Sequence, residues 1–210
     1  EFPDLAEQAL HLLSLRFDSV HWQIDAGFYK CDYNKPQFEK FVKSYNKSVT
    51  ELIEYWLKIM KKGRVLVLYP FVSIVHSLLA GEPSKLRCGA GHSGYAINTD
   101  GKIYACPIMT CYKEFLAGTI KDSPKSLKKF DISGDCLSCN IKDICGGRCL
   151  YSNKTELWPK EGRALICDTV KHLVKELQKI KPEVQQLIDD EVIALGYFDK
   201  EKYFGPEIIP

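Results

Sequence analysis

Eight of the nine cysteines in this 210-residue chain lie between Cys88 and Cys167. No other feature constrains the fold as much, because thiols crowded into one stretch must be paired, bound or buried. An odd number cannot be fully paired into disulfides within one chain. The strongest local pattern is Cys136-x2-Cys139-x5-Cys145-x3-Cys149. Cysteines with two or three residues between them let two thiolates reach one metal centre from a single turn. Gly146 and Gly147 separate the last two cysteines. Residues without a Cβ let backbone amides approach an anionic metal–sulfur centre closely. Cys88 and Cys106 stand at either end of a hairpin region, and Cys167 falls in the expected first turn of a helix, where the dipole favours a thiolate.

The first residues show no basic patch followed by an apolar stretch, so no secretory signal is visible. A reducing, cytoplasmic setting is therefore expected, and clustered thiols there read as metal ligands before disulfides. The spacing alone leaves a structural zinc site and iron–sulfur clusters both open, because four thiolates suit either metal. Disulfides and unconnected free thiols are the remaining readings. The chain begins Glu1-Phe2-Pro3, without a methionine, which suggests a processed chain or an excised fragment.

Hydrophobic periodicity divides the chain. Leu5 to Leu15 has helical period, and residues 19–25 alternate polar and apolar as a strand does. Apolar residues at 38, 41, 45, 49, 52, 53, 56, 57 and 60 predict a long amphipathic helix, with Gly63 as its stop. Arg64 to Tyr69 is a continuous β-rich apolar run, expected to be a strand buried on both faces. Helix–strand–helix–strand is the rhythm of a parallel α/β sheet. Two strands do not make such a sheet stable alone, so residues 1–84 read as the end of a larger α/β domain. Near Ser84 helical period gives way to Gly, Cys and turn residues. Asp100-Gly101 between two β-rich segments predicts a tight hairpin. Residues 108–135 read as loop. Helical period returns from Ala164 to Ile180, Pro182 is expected to break it, and a last helix is expected over roughly 184–195 before an aperiodic tail.

The order Cys88-x12-Gly101-x4-Cys106, then Cys136-x2-Cys139-x5-Cys145-x3-Cys149, then Cys167 resembles the seven-cysteine pattern of the SPASM domain. That domain extends many radical S-adenosylmethionine enzymes that modify peptides and proteins. The resemblance implies an α/β fold: the C-terminal remnant of a partial TIM barrel (1–84), a cysteine-rich α+β SPASM domain with a β-hairpin (85–181), and a C-terminal helix and tail (182–210). It implies two auxiliary 4Fe–4S clusters, with Cys88, Cys106 and Cys149 holding the first. Cys136, Cys139, Cys145 and Cys167 would hold the second. Cys111 is the candidate fourth ligand of the first cluster, against the alternatives of a buried free thiol there or an open iron. S-adenosylmethionine and a third 4Fe–4S cluster would belong only to the full-length enzyme. Zinc remains the alternative occupant or substitute.

That family needs a Cys-x3-Cys-x2-Cys loop, and none is present: Cys31 stands alone before Cys88. The chain is therefore expected to be the C-terminal part of a longer oxidoreductase or maturase, inactive alone, and Cys31 a structural thiol. A non-enzymatic zinc module for protein interaction is the competing class. Expected partners are a peptide or protein substrate, the missing N-terminal barrel portion, and a further copy covering an exposed sheet edge. A net charge of +2 gives no footprint for nucleic acid. The longest uncharged run, residues 65–81, is short for a membrane span and holds Pro70, Ser73, His76 and Ser77. His92, four residues after Cys88, is read as a surface loop histidine or a metal ligand. His21 and Asp25 are read as strand-end residues facing a cofactor or substrate, or as ordinary polar residues. The catalytic residues themselves are not identified by any Ser–His–Asp set, phosphate loop or carboxylate pair.

Overall fold

The computed structural model describes residues 3–110, 112–199 and 209–210. The fold is mixed α/β, helix-rich, with two small sheets. Helix α1 (Leu5–Ser14) leads to β1 (Ser19–His21), and α2 (Lys35–Met60) then connects to β2 (Val67–Tyr69). β1 and β2 pair in parallel, Ser19 opposite Val67 and His21 opposite Tyr69. Both strands are shorter than their sequence patterns, because the backbone leaves the ladder after His21 and joins it only at Val67. α2 starts three residues before its apolar stripe. Asn34 caps it by accepting from the Gln37 amide at 3.2 Å, and Pro36 sits in the first turn, where a missing N–H costs nothing.

α3 (Phe71–Ala80) follows β2, and after residue 84 the chain builds an antiparallel sheet of β3 (Ala96–Ile97), β4 (Lys102–Tyr104) and β5 (Leu116–Thr119). The hairpin forms where Asp100-Gly101 predicts it, but only Gly101 takes left-handed backbone (φ +78°). β5 is absent from the sequence reading. It is a short segment, Leu-Ala-Gly-Thr, whose glycine is closely covered: a Cβ on Gly118 would come within 2.8 Å of the tip of the Leu127 side chain. Two short helices, α4 (Lys142–Cys145) and α5 (Leu150–Thr155), precede α6 (Lys160–Asp189).

α6 corrects the expected break at Pro182. The helix runs straight through it. A proline removes one ladder hydrogen bond at a cost of about 3 kcal/mol, but Leu177, Ile180 and Val184 keep one continuous stripe buried on both sides of it. That stripe packs against the buried face of α2, which includes Leu52, Ile53 and Trp56.

Two hydrophobic cores result. The first joins residues from 5 to 75 with residues from 158 onward, around Trp56, Phe71 and Leu173. The second lies under the antiparallel sheet, around Leu86, Met109, Phe115, Phe130 and Leu150. Among the described residues no helix is long and apolar enough to cross a membrane.

Candidate metal centre

The cysteine segment straddles the two cores. Cys145 ends α4 and packs against the first core, whereas Cys149 caps α5 and packs against the second with Cys88 and Cys106. Backbone contacts fix this placement. The Ser84 amide donates to Asp143 O at 2.6 Å and the Leu86 amide to Gly146 O at 2.8 Å. Arg87 donates from Nε to Ile144 O and from Nη2 to Ser77 Oγ, both at 2.9 Å, which ties the segment to α3. Gly146 sits at φ +67° with the 84–86 backbone so close that a Cβ would lie 2.7 Å from Leu86 N. Its missing side chain therefore admits another strand of protein backbone, not a metal centre as its sequence position implies.

The thiols gather in two sets. Cys88, Cys106 and Cys149 lie near enough for their charges to act on one another. Cys136, Cys139, Cys145 and Cys167 form the other set. Burial pushes the Cys106 and Cys145 thiols up to about 11, and it raises Cys88, Cys136 and Cys167 as well. These sulfurs are thus neutral thiols near neutral pH, and an occupying metal must displace their protons. A cavity of about 490 Å³ opens over the second set, lined by Cys136, Cys139, Cys145, Cys149 and Cys167.

Amide donors surround the sulfurs. Cys88 is approached by the Ala90 amide, Cys106 by those of Ile108 and Met109, and Cys145 by that of Gly147. The Ser152 amide points at Cys149 Sγ at 3.5 Å, and Asn153 Nδ2 at Cys136 Sγ at 3.6 Å. Such donors favour sulfur in its anionic form. Sequence reasoning passed over Asn153, which has no motif around it, and over Arg148. Arg148 had one usable signal, its place between two cysteines.

The other sequence-derived candidates divide. Cys167 is not in a first helical turn: α6 begins at Lys160, so burial and not the helix dipole governs its thiol. The residue is exposed as a whole, yet it lines the cavity. Cys111 lies outside the described residues. Cys31 is exposed and stands apart, its thiol 3.4 Å from the carboxylate of neighbouring Asp32. His92 is no surface residue. It is half-buried, with Nε2 3.4 Å from Asp131 Oδ1 in poor hydrogen-bond geometry, and burial lowers its pKa. His21 and Asp25 are both exposed near the end of β1, and His21 lies 3.2 Å from Gln23 Nε2. Among the described residues no three His, Cys, Asp or Glu side chains converge on a single ion.

No family model and no curated protein matches the chain. Solved structures do. Polyhistidine-tagged anSMEcpe with bound AdoMet superposes with a TM-score of 0.53 at 18% identity, over 77% of this chain and 46% of that one. Native anSMEcpe with bound AdoMet gives 0.49 at 19% identity, over 71% and 43%. Native anSMEcpe with AdoMet and the Kp18Cys peptide gives 0.46 at 17% identity, over 68% and 44%. anSMEcpe is an anaerobic sulfatase-maturating enzyme, a SPASM radical SAM enzyme. The chain spans less than half the length of these structures, and at such identity the likeness is one of fold.

Proposed function

We propose that this chain is the auxiliary-cluster portion of a radical S-adenosylmethionine enzyme that modifies a peptide or protein. One observation carries the reading: seven cysteines spread from 88 to 167 fold into a set of three and a set of four, each supplied with amide donors. The fold shared with an AdoMet-binding enzyme points the same way. Cys88, Cys106 and Cys149 would hold one 4Fe–4S cluster, with Cys111 or an open iron completing it. Cys136, Cys139, Cys145 and Cys167 would hold the other. Residues 1–84 would be the last part of a partial barrel, residues 85–181 the cluster domain, and residues 182–210 the end of α6 with the tail. The Cys-x3-Cys-x2-Cys loop and the S-adenosylmethionine site would lie in the remainder of the enzyme.

When bound, the clusters supply electron transfer or an open iron that can meet a substrate. The chain's own work is to release thiol protons, to fix the sulfurs on two cores, and to direct N–H groups at them. The donor set fits: soft thiolates suit iron–sulfur clusters, and the cavity over the second set leaves room for an inorganic core.

Anaerobic purification tests the reading. The expected protein is brown, contains iron and acid-labile sulfide in near-equal amounts, and bleaches with dithionite. Colourless protein carrying stoichiometric zinc would instead establish a zinc interaction module.

A further inference from the structure

Arg148 occupies an unusual place. It lies between Cys145, which belongs to one thiol set and one core, and Cys149, which belongs to the other. It lines the same cavity as Cys136, Cys139, Cys145, Cys149 and Cys167. Nη2 donates to Ile24 O at 2.8 Å and Nη1 to Ala26 O at 3.4 Å, and the guanidinium stands 5.8 Å from the centre of the Phe28 ring. The residue as a whole is only partly buried, but Nε is fully buried and has no hydrogen-bond partner. Among the described residues no carboxylate pairs with it.

A guanidinium cannot shed its proton to escape burial. Two carbonyl oxygens offset only part of the cost of holding a cation away from water. The groups near Arg148 that can carry compensating negative charge are Cys149, Tyr45, Cys145 and Cys167. These sulfurs come from both sets.

We propose that Arg148 is a positioning and potential-setting residue shared by the two thiolate centres. Its fixed positive charge stabilises the more negative, reduced form of each, while its Nη groups hold the cysteine segment to the 24–26 backbone. This rests on the iron–sulfur reading above. Reduction adds one electron to a cluster, taken from dithionite in the experiment, and breaks no bond in the protein. A nearby cation favours the added electron, so removing that cation lowers the midpoint potential.

The test is a redox titration of the anaerobically reconstituted chain, followed by electron paramagnetic resonance, for wild type, Arg148→Gln and Arg148→Lys. The glutamine variant is expected to shift both midpoint potentials downward. The lysine variant, which keeps the charge and loses the fork, is expected to keep both near wild type while its metal-free form melts earlier. Unchanged potentials in Arg148→Gln, or a shift confined to one cluster, would overturn the shared role. If Arg148→Gln takes up no clusters, the lysine variant decides. Normal loading and potentials support the proposal, and equal failure to load overturns it by showing that the fork matters and the charge does not. Wild-type chain that takes up no iron and sulfide overturns the parent reading as well, an outcome visible before any variant is compared.

Discussion

Asn153 grips Cys136 and the loop that delivers it. Its Nδ2 points at Cys136 Sγ at 3.6 Å and donates to Ser133 O at 3.0 Å, while its Oδ1 accepts from the Ser133 amide at 2.9 Å. One residue earlier on α5, the Ser152 amide serves Cys149. A six-residue helix thus attends to a sulfur of each set. Replacing Asn153 by Ala removes the sulfur contact and the clamp together. Groups that orient metal ligands typically contribute 10–100-fold in affinity. Asn153→Ala is therefore expected to lose iron to a chelator roughly ten times faster or more. Loss at the wild-type rate would show that the amide does not support the site.

Cys139→Ala should remove the metal of the four-cysteine set and leave that of the three-cysteine set. Iron analysis together with the electron paramagnetic resonance spectrum checks this, since one of two signals should vanish. Cys31→Ala, at an exposed thiol outside the lining of the cavity over the four-cysteine set, should leave iron unchanged. A fully loaded Cys139→Ala protein would refute the ligand assignment.

The buried thiols predict a pH dependence for the metal-free, reduced protein. Cys106 and Cys145 rise from an ordinary 9.0 to about 11 on folding. The unfolded chain loses those protons first, so rising pH draws the equilibrium toward it. Their contribution to stability is whole below pH 9.0 and is lost as pH climbs through about 11. Tyr151, raised to about 12 by its hydrogen bond to Tyr112 and then by burial, adds to the same trend at higher pH. Thermal melts across that range should fall with pH, and Cys106→Ala should flatten the slope. A wild-type melting temperature that holds steady across the range contradicts the assignment.

Leu173→Ala separates folding from metal binding. Leu173, on α6, is 1% exposed and lies in the first core. Truncating such a side chain typically costs about 2–5 kcal/mol. Denaturant unfolding should report that loss, while the folded fraction takes up iron as wild type does.

Gly146→Ala should act in the opposite order. Its Cβ would be driven onto the backbone of residues 84–86, which cannot move aside like a flexible side chain. The segment must shift relative to Cys88, and iron uptake should fall. Normal uptake in Gly146→Ser would contradict the steric account, because serine carries the same Cβ.

What was legible in the sequence followed from repetition or from chemistry. The stripe from Phe38 to Met60 has one period over many turns, so α2 was readable, and Val67–Tyr69 announced β2 by β-branched and apolar content. The proposed grouping of Cys88, Cys106 and Cys149 rests on a family resemblance, since hairpin and helix lie between them. Three features were hidden because they depend on tertiary contact. Pro182 stays helical since α2 buries residues on either side of it. β5 is a strand with a glycine in it, held by pairing to β4. Asn153 became visible only once α5 was set against residue 133. The expected role of Gly146 misread which neighbour needed the space.

The first core draws on both ends of the described chain, whereas the buried residues of the second all come from the stretch between them. In topological language the cysteine-bearing body is an insertion, entering after α3 and returning through α6 to the scaffold it left. A chain cut short before α6 would strip α2 of its cover and take from the first core the residues that close it.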